Sequence, residues 1–337
     1  MEEKFTYRRA GVDIEKAEGA LHQLTARIQR TYTPEVLSGV GLFSGFYRFP
    51  SQQFRAPVLV SSTDGVGTKI KIAILAEKHD TIGQDLVNHC INDIAVSGAQ
   101  PLFFLDYFAC AHLDPPVYQE VVGGIARACE LAGMPLIGGE TAEMPDFYQP
   151  GEYDISGTIV GVVEETRIID GTRIQPGDCL IGVASSGLHT NGFTLARKVL
   201  LSHFHLDAYV PELKCTLAEE LLKIHVNYYP FIRRVVSKYD VRGLAHVTGG
   251  GMVKNTRRLL SAALDLEIEW ENLPRLPIFE LIQRLGKVPE EDMRQTFNLG
   301  IGLIIVVNPD DAQRLLTDTE LESMHRVYRI GRIIAKP

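Results

Sequence analysis

At 337 residues with a formal net charge of −8, the chain has the length of about two domains and the wrong sign for a nucleic-acid or anionic-membrane partner. Hydrophobic residues make up 45% and charged ones 23%, enough apolar side chain to fill substantial cores. The five cysteines, at 90, 110, 129, 179 and 215, include no C-x-x-C pair, which argues against a zinc site or disulfide framework and fits reduced thiols in the cytoplasm. Residues 1–10 are charged and polar, unlike a secretory leader, and no apolar run reaches the ~18 residues of a membrane span. An anionic substrate would need local positive charge or a metal ion.

Asp13 is placed to cap a helix running to about residue 30, with Ile14, Ala17, Leu21, Leu24 and Ile28 as its apolar stripe. The segment Gly39-Val40-Gly41-Leu42-Phe43-Ser44-Gly45 follows, read equally well as a lid over a ligand or as a plain connector. Next comes the stretch that organises the chain: the β-branched run 58–63 predicts a buried strand, and it ends on Asp64-Gly65-Val66-Gly67-Thr68-Lys69 where a helix begins. Glycines let a backbone approach a ligand, and N–H groups at a helix start favour anions. Asp64 supplies a carboxylate for the cation that accompanies a polyphosphate. A solvated turn is the plainer alternative. No Gly-Lys-Ser/Thr triplet follows four spacers, so this is not a Walker loop.

Residues 81–98 split cleanly at helical spacing. Leu86, Val87, Cys90, Ile91 and Ile94 share one face, while Asp85, Asn88, His89, Asn92 and Asp93 share the other. Solvated faces are rich in Lys and Glu, and this one has neither, so its compact groups suit metal ions and ordered water. Residues 102–109 are apolar on both faces, which predicts a strand buried in a sheet. Asp114 and Pro115 start a helix that ends near Gly133. A short strand, 135–137, then meets Gly138-Gly139-Glu140-Thr141-Ala142-Glu143-Met144-Pro145, a second glycine-acid-hydroxyl loop. Residues 153–163 read as a further strand.

The turn-rich stretch 164–178 marks a domain boundary, placing one domain at 1–168 and another at 169–337. Strand 179–184 leads into Ser185-Ser186-Gly187-Leu188-His189-Thr190-Asn191-Gly192, and strand 244–248 leads into Gly249-Gly250-Gly251. Each is followed by a helix start, the arrangement that holds phosphates. A lone loop or core histidine is the plainer reading of His189 and of His246. Segments 264–270, 300–307 and 327–334 complete the strands.

Together these motifs resemble the phosphoribosylformylglycinamidine cyclo-ligase (aminoimidazole ribonucleotide synthetase) family. The matching stretches run through the chain in order: Ala10-Gly11-Val12-Asp13, 63–69, Asn92-Asp93, 101–107, 138–145, 185–192, 246–251 and Thr296-Phe297-Asn298. The bulky Phe43, Phe46 and Tyr47, the proline-free Asn255-Thr256-Arg257-Arg258 and Asp146 depart from the family pattern. The resemblance implies an α+β fold of two mixed α/β domains, the N-terminal one dimerising through its sheet and the C-terminal one layered. It implies ATP and magnesium as cofactors, formylglycinamidine ribonucleotide as substrate, and a homodimer. By the same resemblance Asp64, Asp93 and Glu140 handle magnesium, and Gly65, Gly67, Thr68, Lys69, Gly138, Gly139, Glu140 and Thr141 lie at the nucleotide. Ser185, Ser186, Gly187, His189, Asn191, Thr248, Gly249, Gly250 and Gly251 take the ribose phosphate or reacting amide, and His246, His189 and Lys69 are the catalytic candidates. A kinase of the same fold, acting on selenide or thiamine phosphate, and a non-enzymatic nucleotide-binding scaffold are the competing readings. The long matches at 185–192 and 138–145 favour the cyclo-ligase.

Overall fold

The computed structural model describes residues 6–7, 11–39 and 41–336. Ala10 of the first motif, Val40 of the glycine-rich loop and most of the 1–10 segment lie outside them. The first half builds α1 (Ile14–Gln29), β1 (Pro57–Gly65), α2 (Ile70–Leu75), α3 (Ile82–Ala95), β2 (Gln100–Cys110), α4 (Pro115–Ala132), β3 (Leu136–Glu143) and β4 (Tyr153–Glu164). The second half opens with β5 (Cys179–Ala184), α5 (Phe193–Leu200), the short pair β6 (Tyr209–Val210) and β7 (Cys215–Thr216), α6 (Leu217–Leu221) and α7 (Tyr229–Lys238). It continues through β8 (Val241–His246), α8 (Gly251–Arg257), β9 (Leu264–Ile268), α9 (Pro277–Gly286) and α10 (Glu290–Thr296). It closes with β10 (Ile301–Val307), α11 (Pro309–Leu316), α12 (Thr319–Met324) and β11 (Val327–Ala335).

The halves carry separate main sheets, ordered β1-β4-β2-β3 and β8-β10-β5-β11-β9, so the chain is α+β with two mixed units. In the first sheet β2 and β3 run parallel, joined by α4, and the other pairs are antiparallel. Asp13 caps α1 by accepting from the Lys16 amide, and left-handed Gly133 ends α4. One side of the sheet is closed by α3 and α4, whose Leu86, Cys90, Val121 and Ile125 are fully buried with Phe104 and Ile159. The two helices approach through Gly83 and Gly124; a Cβ on Gly83 would collide with the Val121 carbonyl.

The other side of that sheet is open. Strand β1 is not the buried strand expected of residues 58–63: at the edge of its sheet it alternates exposed and half-buried positions, leaving Leu59 63% and Tyr107 of β2 37% exposed. Within one protomer β2 is closed on its helix side at Leu102, Phe104 and Phe108, whereas Phe103 and Leu105 on the outer side stay half-buried. A second correction concerns residues 138–143, which are not a loop. They continue β3 and pair with β2 from Leu105 to Cys110. Two consecutive glycines suit this strand because a Cβ at Gly139 would strike the Asp106 side chain. In the second half, β5 and β10 lie inside their sheet, and every residue of β10 is buried. The cysteines are all unpaired, as their spacing suggests, and among the described residues no helix is long and apolar enough to cross a membrane.

Candidate functional site

The polar face of α3 is buried, not solvated. Asp85 and Asn92 are fully inaccessible, and this face grips the backbone of residues 225–228 in the second half. Asn88 donates to the His225 carbonyl at 2.7 Å, and Asn92 donates to the Val226 carbonyl while accepting from the Tyr228 amide, both at 2.8 Å. Asp85 accepts from the His225 amide at 2.7 Å. Three of the five polar residues on this face thus serve docking, and the expectation that all five serve ions and water is corrected. Lys69 is corrected in the same way. Its ammonium is completely buried, 2.8 Å from Asp85, and donates to the Lys223 carbonyl at 2.7 Å. Burial pulls the Lys69 ammonium below its ordinary range and pushes the Asp85 carboxyl above its own, each opposed by the partner's charge. Lys69 is spent on the seam between the halves and does not reach out to a phosphate.

The remaining two residues of that face, His89 and Asp93, enter a hydrogen-bonded chain that crosses the seam. Asp64 lies 2.8 Å from His89 Nε2, His89 Nδ1 lies 2.8 Å from the Thr190 hydroxyl, and that hydroxyl lies 3.3 Å from His225 Nδ1. His225 Nε2 is 3.0 Å from His246 Nε2, and His246 Nδ1 is 2.8 Å from Asp93. Ser62 also donates to Asp93 at 3.1 Å. Ionised carboxylates only accept, so both ends of the chain demand a proton. Three neutral imidazoles and one hydroxyl bring one proton each, one fewer than the five links, and the fully bonded chain therefore carries an extra proton.

The surroundings agree on where it sits. Burial works to lower His89, yet the hydrogen bond to Asp64 and the charges of Asp93 and Asp64 overcome it and raise its pKa. Burial lowers His246, and the Asp93 hydrogen bond only partly compensates. His225 falls well below the ordinary range through burial and the neighbouring imidazoles. For Asp64 and Asp93 burial pushes upward, but the hydrogen bonds from His89 and from His246 win, so both stay ionised below the usual range.

His189 is in an unusual state. Its backbone φ is +60°, a region costly to a residue with a Cβ, and its ring stacks on His225 with centroids 4.0 Å apart. Nδ1 is buried without a partner among the described residues, and burial holds the imidazole neutral. Ser185 donates to Asn298 and to the Gly187 carbonyl, and Ser186 donates to the Ile224 carbonyl, so both hydroxyls shape their loop. Asn255 binds the Thr248, Gly249 and Gly251 carbonyls, which fixes the turn where Gly250 and Gly251 take positive φ.

A cleft of about 550 Å³ lies at the seam, lined by Gly67 and Thr68 on one side and by Thr190, Asn191, Gly192 and Lys198 on the other. Thr68 and Thr194 join across it at 2.9 Å. The Gly138–Thr141 segment lines a different, 70 Å³ hollow with Asp106 and Tyr118. Asp64 and Gly139 share one row of the sheet through Gly157 and Asp106, three strand spacings or about 14 Å apart. Glu140, one position on, faces the open side of the sheet, whereas Asp64 faces α3. Within a protomer Asp64 and Asp93 come together and Glu140 does not join them. The sequence reading missed Thr190 and His225 as site residues: His225 lies in Ile-His-Val-Asn-Tyr, which carries no motif, and only the unmatched polar face of α3 hinted at a partner.

Residues 54–163 match the family AIR synthase related protein, N-terminal domain, and residues 175–337 match AIR synthase related protein, C-terminal domain. The chain is 47% identical over 329 residues to the phosphoribosylformylglycinamidine cyclo-ligase of Thermodesulfovibrio yellowstonii, covering 97% of this chain and 96% of that one. It is 44% identical to the enzyme of the same name from Geobacillus thermodenitrificans, covering 97% and 95%. Among solved structures, thiamine-monophosphate kinase from Stenotrophomonas maltophilia superposes with a TM-score of 0.70 at 19% identity over 93% of both chains. Hydrogenase maturation protein HypE in complex with ATP gives 0.66 at 19% over 94% and 86%. Those two share the fold.

Proposed function

The chain belongs to the phosphoribosylformylglycinamidine cyclo-ligase family, and on that premise we propose that it converts formylglycinamidine ribonucleotide to aminoimidazole ribonucleotide, with ATP going to ADP and phosphate. An amide oxygen is a poor leaving group. Phosphorylation of the formyl oxygen makes it leave as phosphate once an amidine nitrogen has attacked the carbon, and the ring closes. The protein must neutralise phosphates, hold both ends of one molecule together and exclude water.

The observation that most supports this reading is the meeting of Asp64 and Asp93 from one half with Thr190 and His246 from the other, beside an open cleft. Asp64, Asp93 and the Ser62 hydroxyl offer hard oxygens that fit magnesium, which would supply charge neutralisation for the ATP phosphates. Gly65, Gly67 and Thr68 approach the nucleotide from one wall; the fold relative solved with ATP lends this support. Asn191, Gly192 and the 248–251 turn approach the ribonucleotide from the other. His246, tied to Asp93 through Nδ1, takes the amidine proton at Nε2 in place of its bond to His225, while Lys69 holds the seam and His189 stacks on His225 within the second half. The identity of nearly half over almost the whole chain favours this reaction over the kinase chemistry of the more distant fold relatives.

The open sheet face supports a homodimer formed through the first half. Residues 1–168 and 169–337 are the two domains of this reading, and the cytoplasm is its setting. Incubation with magnesium, ATP and formylglycinamidine ribonucleotide tests it: aminoimidazole ribonucleotide and ADP are expected together. ADP without the imidazole product would turn the reading towards a kinase. Asp93→Asn should lower turnover at least about 10²-fold with the fold retained.

A further inference from the structure

The chain of imidazoles between Asp64 and Asp93 lacks one positive charge when every histidine is neutral, and a divalent cation can supply it as well as a proton. His89, Asp93 and His246 each offer a ligand atom, and these atoms all lie within 4.8 Å of one another. His89 Nε2 is already 3.9 Å from Asp93 Oδ2, and His246 Nδ1 is 2.8 Å from Asp93 Oδ1. Bonds of about 2.0–2.2 Å to nitrogen and oxygen would need only small side-chain rotations to converge on one ion.

The nitrogens turned away from that point are held as ligating imidazoles are held. His89 Nδ1 meets the Thr190 hydroxyl, and His246 Nε2 meets His225. With metal on His246 Nδ1, its Nε2–H donates to His225, whose own Nδ1–H donates to Thr190. The Thr190 oxygen then accepts from both sides, and of the five links only that of His89 Nε2 to Asp64 is left with neither proton nor ion, so that the Asp64 carboxylate faces the charge of the ion. Such outer partners fix the tautomer and orientation of the ligands. Two imidazoles and a carboxylate suit zinc, cobalt or nickel, whereas magnesium prefers an all-oxygen shell.

We propose that His89, Asp93 and His246 form a transition-metal site that staples the two halves of the chain together, with His225 and Thr190 as its outer support. His89 and Asp93 come from α3 and His246 from the end of β8, so an ion held there fixes the docking of one half on the other. Both this ion and magnesium need Asp93. On the reading of function given above, the transition metal therefore competes with magnesium and inhibits ring closure.

Cobalt(II) chloride titrated into the full-length, nucleotide-free protein is the direct probe. One cobalt per chain is expected, with visible absorption of a nitrogen- and oxygen-liganded ion of low coordination number, removed by added zinc. His89→Asn and His246→Asn should lose the absorption, and His225→Gln, which leaves all three ligands in place, should weaken cobalt binding about 10-fold or more. A parent protein that takes up cobalt without visible bands overturns the site. So does zinc affinity unchanged in folded His89→Asn or in His225→Gln. Cobalt binding is read without turnover, and turnover in magnesium is read without cobalt, so this proposal and the assigned reaction fail separately.

Discussion

On one side of the N-terminal half, α3 turns Asp85, Asn88 and Asn92 towards the backbone of residues 225–228; on the other, the sheet turns Leu59, Leu105 and Tyr107 outward. The polar helix face is the closed one, and the sheet face that carries Leu59, Leu105 and Tyr107 is the open one. Hydrogen bonds are directional, so a face built from them fits a single backbone segment, and here that segment belongs to the same chain. An apolar face is undemanding about direction and can be closed by a second copy. The comparison teaches that residue polarity states what kind of partner a face requires, and not whether the face is exposed.

The strongest way to break this contrast is at the buried pair beneath the seam. Lys69→Met leaves the Asp85 charge without its counter-ion and should destabilise the protein by about 3–5 kcal/mol in urea unfolding. Adding Asp85→Asn should recover part of that loss. A single-variant loss below about 1 kcal/mol would mean that water reaches the pair and the seam is looser than described. Next in size is Asn92→Ala, which strands the Val226 carbonyl and the Tyr228 amide and should cost about 1–3 kcal/mol. A change no larger than that of an exposed substitution would show that residues 225–228 dock without this side chain.

The open face is sharpened by the opposite result. Leu59→Lys combined with Leu105→Lys should shift the protein from dimer to monomer in sedimentation equilibrium, with denaturation of the protomer moved by only about 0.5 kcal/mol per site. A parent protein that is already monomeric would leave this surface without its proposed partner.

The smallest effect belongs to Asp106, whose carboxyl burial raises from 3.8 to about 7. A raised folded pKa means that the native state binds the extra proton. Its stabilising share is complete below pH 3.8 and is lost as pH rises through about 7. Asp106→Asn should therefore match the parent in acid and become the more stable of the two above neutrality. Parallel stability curves across that range would place Asp106 in contact with water.

Much of this was legible in the sequence, for identifiable reasons. Helix α3 was readable because its periodicity is a property of neighbouring residues, and so was the turn after β1 because glycines mark it. The destination of the polar face was not readable, since it depends on residues more than 130 positions away. Residues 138–143 look like a loop because glycine is a poor strand former, yet Asp106 on the neighbouring strand leaves no room for anything larger. Asp64, Asp93 and His246 each stand out by their own motif in the sequence, and the three come together. Glu140 carries the same glycine-acid signal and points to the other face, because side chains alternate along a strand and no motif records which way the alternation falls. His225 carried no local signal at all.

One feature of the seam has a bearing on how the molecule is made. Asp93 and His246 are 153 positions apart, and the strands and helices around Asp93 are complete long before residue 246 has been synthesised. Proteins are made from the N-terminus, and their units tend to fold in that order. The growing chain thus holds both carboxylates and one histidine in place while the histidines that complete the relay do not yet exist. On that order, the site would be completed only when the segment around residue 225 closes over Lys69 and Asp85 and β8 has brought His246 into place. In a refolding experiment, turnover should accordingly lag the return of helical signal, and the length of that lag measures the closing step itself.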